Sequence, residues 1–225
     1  VTISGQDRWK SVRLRDAIPI VKQIRWGMTT SPGSAFQAFE QEFAQMAGCK
    51  FGLAMNSGTA ALHSALFAVG VGPGDEVIVP SFTFSSTAGA FALMGARIVF
   101  ADIDPITLNL DPDDVASRIT ERTKAIMPVH LFGRPAPLAE LAALGLPLIE
   151  DAAQAFGAEG IATTGVCSTF SFFPTKNLFA LGDGGLVACT DDSVADRVRM
   201  LRFHGSKDKK TFELIGTNSR TSELM

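Results

Sequence analysis

Lys176 sits in STFSFFPTKNL (168–178), the one cation in a segment otherwise built of phenylalanine, hydroxyl residues, proline, asparagine and leucine. Lysine is almost never fully buried without a partner. Two readings are open. The amine snorkels to the surface, or apolar surroundings lower its proton affinity and make it a nucleophile, the usual route to a Schiff base. Asp151 follows the apolar run PLIE (147–150). A carboxylate there is expensive unless it meets a cation; the plainer alternative is a helix cap for AAQAFG. Gln154, three residues on, faces the same way as Asp151 on a helix, or is a surface amide. SGT (57–59) leads from an apolar run into a helical one. The N–H groups of Gly58, Thr59 and Ala60, with the helix dipole, would make an anion site, and the Thr59 hydroxyl would add a bond. A plain N-cap is the alternative.

Taken together these residue types match one chemistry. A pyridoxal phosphate (PLP) site needs a Schiff-base lysine, a carboxylate opposite the pyridinium nitrogen and an anion cradle for the phosphate. It also needs a flat residue on the ring face and a partner for the ring hydroxyl. Lys176, Asp151, the SGT turn with Ser171, Phe84 and Gln154 fill those roles in turn. Some PLP enzymes put a tyrosine on the ring hydroxyl; this chain has no Tyr, against 17 Phe, which strengthens the case for Gln154.

Such residues need elements that bring them to one place. SAFQAFEQEFAQMAG (34–48) has apolar residues at helical spacing, and Gly48 ends it. Helices are also predicted over 59–70, 85–95, 111–120, 137–145 and 191–205. Short apolar runs predict strands at 51–56, 76–80, 96–103, 123–130, 147–152, 169–173 and 184–190. Helices alternating with near-continuous apolar strands predict an α/β fold, a mostly parallel sheet with helices on both faces. Ligands sit beyond the C-terminal ends of such strands. SGT, SFTFSST, LFGRP, DAAQ and PTKN each follow a strand, so the polar chemistry gathers at one sheet edge. GVGPGD (70–75) precedes a strand and reads as a turn, not a dinucleotide fingerprint.

Composition excludes other classes. The net charge is -3, with no dense basic run, so nucleic acid and anionic membranes are not indicated as partners. No stretch is long and apolar enough for a membrane span, and the N-terminus has no signal-peptide core. Cys49, Cys167 and Cys189 are scattered and read as reduced, buried thiols of a cytoplasmic protein. No His/Cys cluster has metal-ligand spacing. Residues 1–32 read as an outer arm or helix. The chain starts without Met and ends in TSELM, where Thr221 or Ser222 would cap a helix carrying Glu223, so a piece of a longer protein is expected.

The chain resembles the DegT/DnrJ/EryC1/StrS family of PLP-dependent sugar aminotransferases, of aspartate-aminotransferase (type I) fold. NSGTAALHSAL, GPGDEVIVPSFTFSSTA, GARIVFADIDP, RTKAIMPVHLFG, IEDAAQAFGA, FSFFPTKNL, GDGG and LRFHG carry the resemblance. It implies that Lys176 is the Schiff-base lysine and that Asp151 and Gln154 meet the pyridinium nitrogen and ring hydroxyl. Gly58, Thr59 and Ser171 would hold the phosphate, and Phe84 would stack on the ring. Asn218 would reach the phosphate of the neighbouring subunit's cofactor in a homodimer with shared active sites, with Arg220 near by. It implies an amino group moved from glutamate or glutamine to a nucleotide-linked keto-sugar, for amino-sugar biosynthesis. A non-catalytic PLP-binding regulator is the alternative; a type I enzyme acting on cysteine is disfavoured by EDAAQA and FSFFPTKNL. Retention of Lys, where a dehydrating relative has His, favours transamination. Residues 33–225 would be the PLP-binding large domain, incomplete, with the C-terminal small domain absent. IATTGV is shorter than the family's usual loop, GDGG stands where GEGG is commoner, and SRTSELM departs from the usual apolar continuation. His130 ends a strand beside the site and is a candidate support for it. His63 reads as structural, the role of His204 stays open, and Arg134 and Arg220 are candidates for sugar-nucleotide phosphates.

Overall fold

The computed structural model of the chain describes residues 35–162 and 164–222. The arm expected over 1–32 lies outside them, as does Glu223; Thr221 and Ser222 are irregular. The strands are β1 (Phe51–Met55), β2 (Glu76–Pro80), β3 (Arg97–Ala101), β4 (Thr123–Ile126), β5 (Ile149–Asp151), β6 (Cys167–Ser171) and β7 (Gly185–Cys189). The helices are α1 (Ala35–Met46), α2 (Gly58–Ala68), α3 (Ser85–Ala92), α4 (Pro112–Arg118), α5 (Leu138–Ala142) and α6 (Asp192–Leu201). Hydrogen bonds give the orders β1-β7-β6-β5 and β3-β2-β4. Parallel bridges Ile126↔Leu148 and Val129↔Asp151 join β4 to β5, so one sheet runs β1-β7-β6-β5-β4-β2-β3.

The sheet is mostly parallel, as expected, with one exception. β7 is antiparallel to both β1 and β6. The reason is the connection: residues 172–184 between β6 and β7 contain no helix to carry a crossover, and strands joined without one return antiparallel.

Successive residues of each strand point to opposite faces, and the apolar core divides accordingly. Val77, Val79, Met127, Ile149 and Val187 pack with α2, α3 and α6 on one face. Ile78 and Ile126 pack with Leu138 and Leu141 of α5 on the other. Below β6 and β7 that second face is aromatic. Phe43 of α1 lies edge-on to Phe170, with ring centroids 4.9 Å apart, and Phe39 lies edge-on to Phe172 at 5.5 Å. Such aromatic pairs add to burial through edge-to-face geometry. Two phenylalanines of STFSFFPTKNL are therefore core; Phe173 is half exposed.

Several boundaries differ from the periodicity. β6 begins and ends two residues earlier than TFSFF suggests, because the chain must leave the sheet after Ser171 for Phe172 N–H to reach Gly184 O at 2.8 Å. The strand expected over 123–130 stops at Ile126; Pro128 has no N–H to extend the ladder. The last predicted helix stops at Leu201, where the Leu201 carbonyl accepts from Thr217 N–H at 2.7 Å. The cysteines are free, Cys167 and Cys189 buried and Cys49 half-buried. Burial pushes the Cys189 thiol up to about 12 and raises Cys167 as well. Among the described residues no helix is long and apolar enough to cross a membrane.

Candidate active site

A cavity of about 450 Å³ opens at the C-terminal ends of the parallel strands. That is a usual size for a small-molecule site. Its walls bring together Gly58, Thr59, Phe84, Asp151, Gln154, Ser171 and Lys176. A larger cleft of about 750 Å³ between α1 and α6 holds none of these; volume is a poorer guide here than the convergence of strand ends.

The anion cradle follows from one close approach. α2 starts directly after β1, and Ser57 caps it, accepting from Ala60 N–H at 3.1 Å. The cap and the cradle are thus both present, with a correction: Ala60 N–H is taken by Ser57. Gly58 and Thr59 occupy the first helical positions, where the helix offers their N–H groups no acceptor. The Thr59 hydroxyl donates to Ser86 Oγ at 3.0 Å. A Cβ on Gly58 would stand 2.7 Å from Ser171 Cβ, and one on Gly185 would stand 2.4 Å from the Ser57 carbonyl oxygen. Only hydrogen at both positions lets the helix start press against β6 and β7.

Asp151 ends β5 and is 4 % exposed. Its Oδ2 accepts from Thr87 Oγ1 at 2.8 Å and its Oδ1 from Ala153 N–H at 3.1 Å. The Thr87 proton is thereby placed on Asp151, so Thr83, 2.9 Å away, donates to Thr87. Burial pushes the Asp151 carboxyl above the ordinary carboxylate range; the Thr87 hydroxyl, the Ala153 N–H and the charge of Lys176 only partly oppose it. A buried carboxylate held high by desolvation suits a ligand that brings its own cation. No helix follows Asp151, so it is not the cap of one. Gln154 reaches the same cavity through a turn, not through helical spacing. Its Oε1 accepts from Phe132 N–H at 2.8 Å, which leaves the amide N–H₂ to donate elsewhere.

Lys176 follows the turn after β6, its N–H bonded to Phe173 O at 2.8 Å. Phe84, 70 % exposed, precedes α3 at the cavity. These features fit PLP: N–H groups at a helix start for phosphate, a carboxylate for the ring nitrogen, an oriented amide donor for the ring oxygen, and an amine.

Other predicted residues lie elsewhere. Asn218 does not line its own chain's cavity; its carbonyl accepts from Asn56 Nδ2 at 3.3 Å and its Oδ1 from Arg220 Nε at 3.1 Å. Arg220 lines the α1–α6 cleft, 4.5 Å over the Phe203 ring. Arg134 donates to Ile106 O at 3.2 Å. His63 is half-buried on α2, and burial lowers its proton affinity. Thr87, Thr83 and Ser86 escaped the sequence reading; the signal for them was the hydroxyl-rich SFTFSST after β2. Glu150 also escaped it. It is fully buried and accepts from Ala162 N–H at 2.8 Å and Gly165 N–H at 2.7 Å. Burial opposes its ionisation, but His130 and those two N–H groups outweigh burial and hold its carboxyl below the usual range.

Known proteins are similar to this chain in sequence and fold. A protein of Geobacillus stearothermophilus named pleiotropic regulatory protein is 48% identical over 200 residues, 85% of this chain and 54% of its own length. The UDP-N-acetyl-3-dehydro-alpha-D-glucosamine 3-aminotransferase of Acidithiobacillus ferrooxidans is 45% identical over 200 residues, again 85% of this chain and 54% of its own. The crystal structure of S. venezuelae DesV in complex with a ketimine intermediate superposes with TM-score 0.92 at 38% identity, covering 100% of this chain and 62% of that one. The chain thus spans about half the length of the curated relatives it matches. The model of one family matches residues 15–225, and by that match the chain belongs to the DegT/DnrJ/EryC1/StrS aminotransferase family.

Proposed function

We propose that this chain forms the cofactor-binding part of a PLP-dependent aminotransferase. The reaction moves an amino group from glutamate or glutamine to a nucleotide-linked keto-sugar, in amino-sugar biosynthesis. The observation that carries the reading is the meeting of Lys176, Asp151, Gln154 and the Gly58–Thr59 helix start in one cavity. The A. ferrooxidans relative's name supports a nucleotide sugar as acceptor. When bound, the cofactor supplies a reactive aldehyde and an electron-withdrawing ring.

The chain's own residues do the rest. Gly58 and Thr59 N–H, with Ser171, hold the phosphate; Phe84 covers the ring. Asp151 keeps a proton on the ring nitrogen, and Gln154 donates its amide to the ring oxygen. Lys176 attaches the cofactor through its Nζ. As a free amine it would serve as general base and acid for the proton at the donor's α-carbon. Residues 33–225 are read as the large domain, with a small domain to follow. Asn218, turned away from its own cavity, serves the neighbouring subunit's phosphate in a homodimer. Free thiols support a reducing cytoplasm.

A second reading, a PLP-binding regulator without turnover, is favoured by the name of the G. stearothermophilus relative. The test of the shared site is to add PLP, reduce with borohydride and map the adduct by mass spectrometry. Label on Lys176, lost in Lys176→Ala, is expected; label scattered over surface lysines overturns the site. Formation of pyridoxamine phosphate on adding glutamate or glutamine then separates transaminase from regulator.

A further inference from the structure

The opposite side of β5 from Asp151 carries a second polar arrangement. Ala136 N–H donates to His130 Nδ1 at 3.0 Å. The ring proton therefore sits on Nε2 and is donated to Glu150 Oε2 at 3.0 Å. Both side chains are fully buried. Glu150 also binds Ala162 and Gly165 N–H, and a Cβ on Gly165 would stand 2.9 Å from Glu150 Oε1. The imidazole thus spans from β5 to the turn 131–136.

That turn is what orients Gln154. Its Phe132 holds a left-handed φ of 55°, unusual for a bulky side chain, and is 72 % exposed, so side-chain packing does not hold it there. Hydrogen bonds do. Gly133 N–H reaches His130 O at 3.2 Å, Ala136 N–H reaches the His130 ring, and Asn109 Nδ2 reaches Pro135 O at 2.8 Å. Phe132 N–H is then aimed at Gln154 Oε1.

We infer that His130 and Glu150 are positioning residues. They lock the 131–136 turn against β5, and the turn in turn presents the Gln154 amide N–H₂ to the ligand's ring oxygen. The inference rests on the PLP reading, since it assigns the clamp a role toward that ring. Without the clamp the Phe132 N–H leaves Gln154, and the amide is free to rotate its acceptor end toward the ring oxygen.

Two readouts on the chain test it. In the ligand-free chain, His130→Phe is expected to speed hydrogen exchange of the Phe132 amide by about tenfold. In the PLP-loaded chain, His130→Phe is expected to shift the visible absorbance of Lys176-bound PLP as Gln154→Leu does, and the double variant to shift it no further. Unchanged Phe132 exchange overturns the clamp, even where melting temperature falls. A shift that adds to that of Gln154→Leu overturns its action through Gln154. Should His130→Phe not fold, the near-isosteric Glu150→Gln carries the same tests, since its N–H₂ must face Ala162 or Gly165 N–H. Exchange about threefold faster is then expected, and none overturns the clamp. Failure of Lys176 labelling in the unaltered chain overturns the PLP reading instead, and the exchange test still decides the clamp.

Discussion

Asp151 shows how a single side chain trades stability for binding. An aspartate in an unfolded chain titrates near ~4; burial raises it in the fold. Between those values the folded chain holds a proton that the unfolded chain has lost, so stability falls as pH rises through that window. The full penalty is present above the raised value and absent below ~4. Asp151→Asn removes it, because an amide can accept from Ala153 N–H and donate to Thr87. The ligand-free variant is expected to melt roughly 2–4 °C higher than the parent at neutral pH, about 1 kcal/mol in a chain of this size. The gap should close near pH ~4. A gap independent of pH in scanning fluorimetry would contradict the assignment. The same variant is expected to bind PLP about a hundredfold more weakly, the usual penalty for removing one partner of a buried charge pair, which fluorescence titration measures.

The start of α2 is the element on which the cradle depends, and glycine decides its position. Gly185→Ala would drive a Cβ into the Ser57 carbonyl at 2.4 Å. A loss of about 2–4 kcal/mol in urea unfolding is expected, together with weaker phosphate-dependent binding, as overpacking of backbone against backbone cannot relax locally. Gly89→Ala in the interior of α3 is the contrast. Nothing lies within 4 Å of its Cβ, so a gain of about 0.5 kcal/mol is expected from lower unfolded-state entropy. Similar effects at the two glycines would show that unfolded-state entropy, not close approach, governs both.

Across the whole molecule, the site edge and the α1–α6 edge are held by different interactions. Glu40 of α1 accepts from Ala54 N–H at 2.8 Å and from Arg202 Nη1 at 2.6 Å, and the same guanidinium donates to Ala54 O at 2.8 Å. This largely buried tie joins α1, β1 and the end of α6. Glu40→Ala leaves Arg202 without its anion and is expected to remove about 3 kcal/mol of stability. Borohydride labelling of Lys176 at low temperature should be unaffected. Loss of labelling in a variant still folded by circular dichroism would mean that the two regions are one cooperative unit.

The sequence by itself determined the alternation of strand and helix, because apolar periodicity is a local property of neighbouring residues. It also determined which polar groups follow strands. Since a parallel sheet aligns its strand ends, Lys176, Asp151, Gln154, Phe84 and the SGT turn could be assigned to one edge before any contact was known. Only the tertiary structure decided the direction of β7, whose continuous apolar run reads the same either way. It alone decided that Asn218 and Arg220 stand apart from their own chain's cavity. It alone paired Thr87 with Asp151, 64 residues away, and His130 with Glu150, 20 residues away. Such bonds depend on the register between strands and on which face each side chain takes. Those are fixed by packing of the whole sheet, not by spacing along the chain.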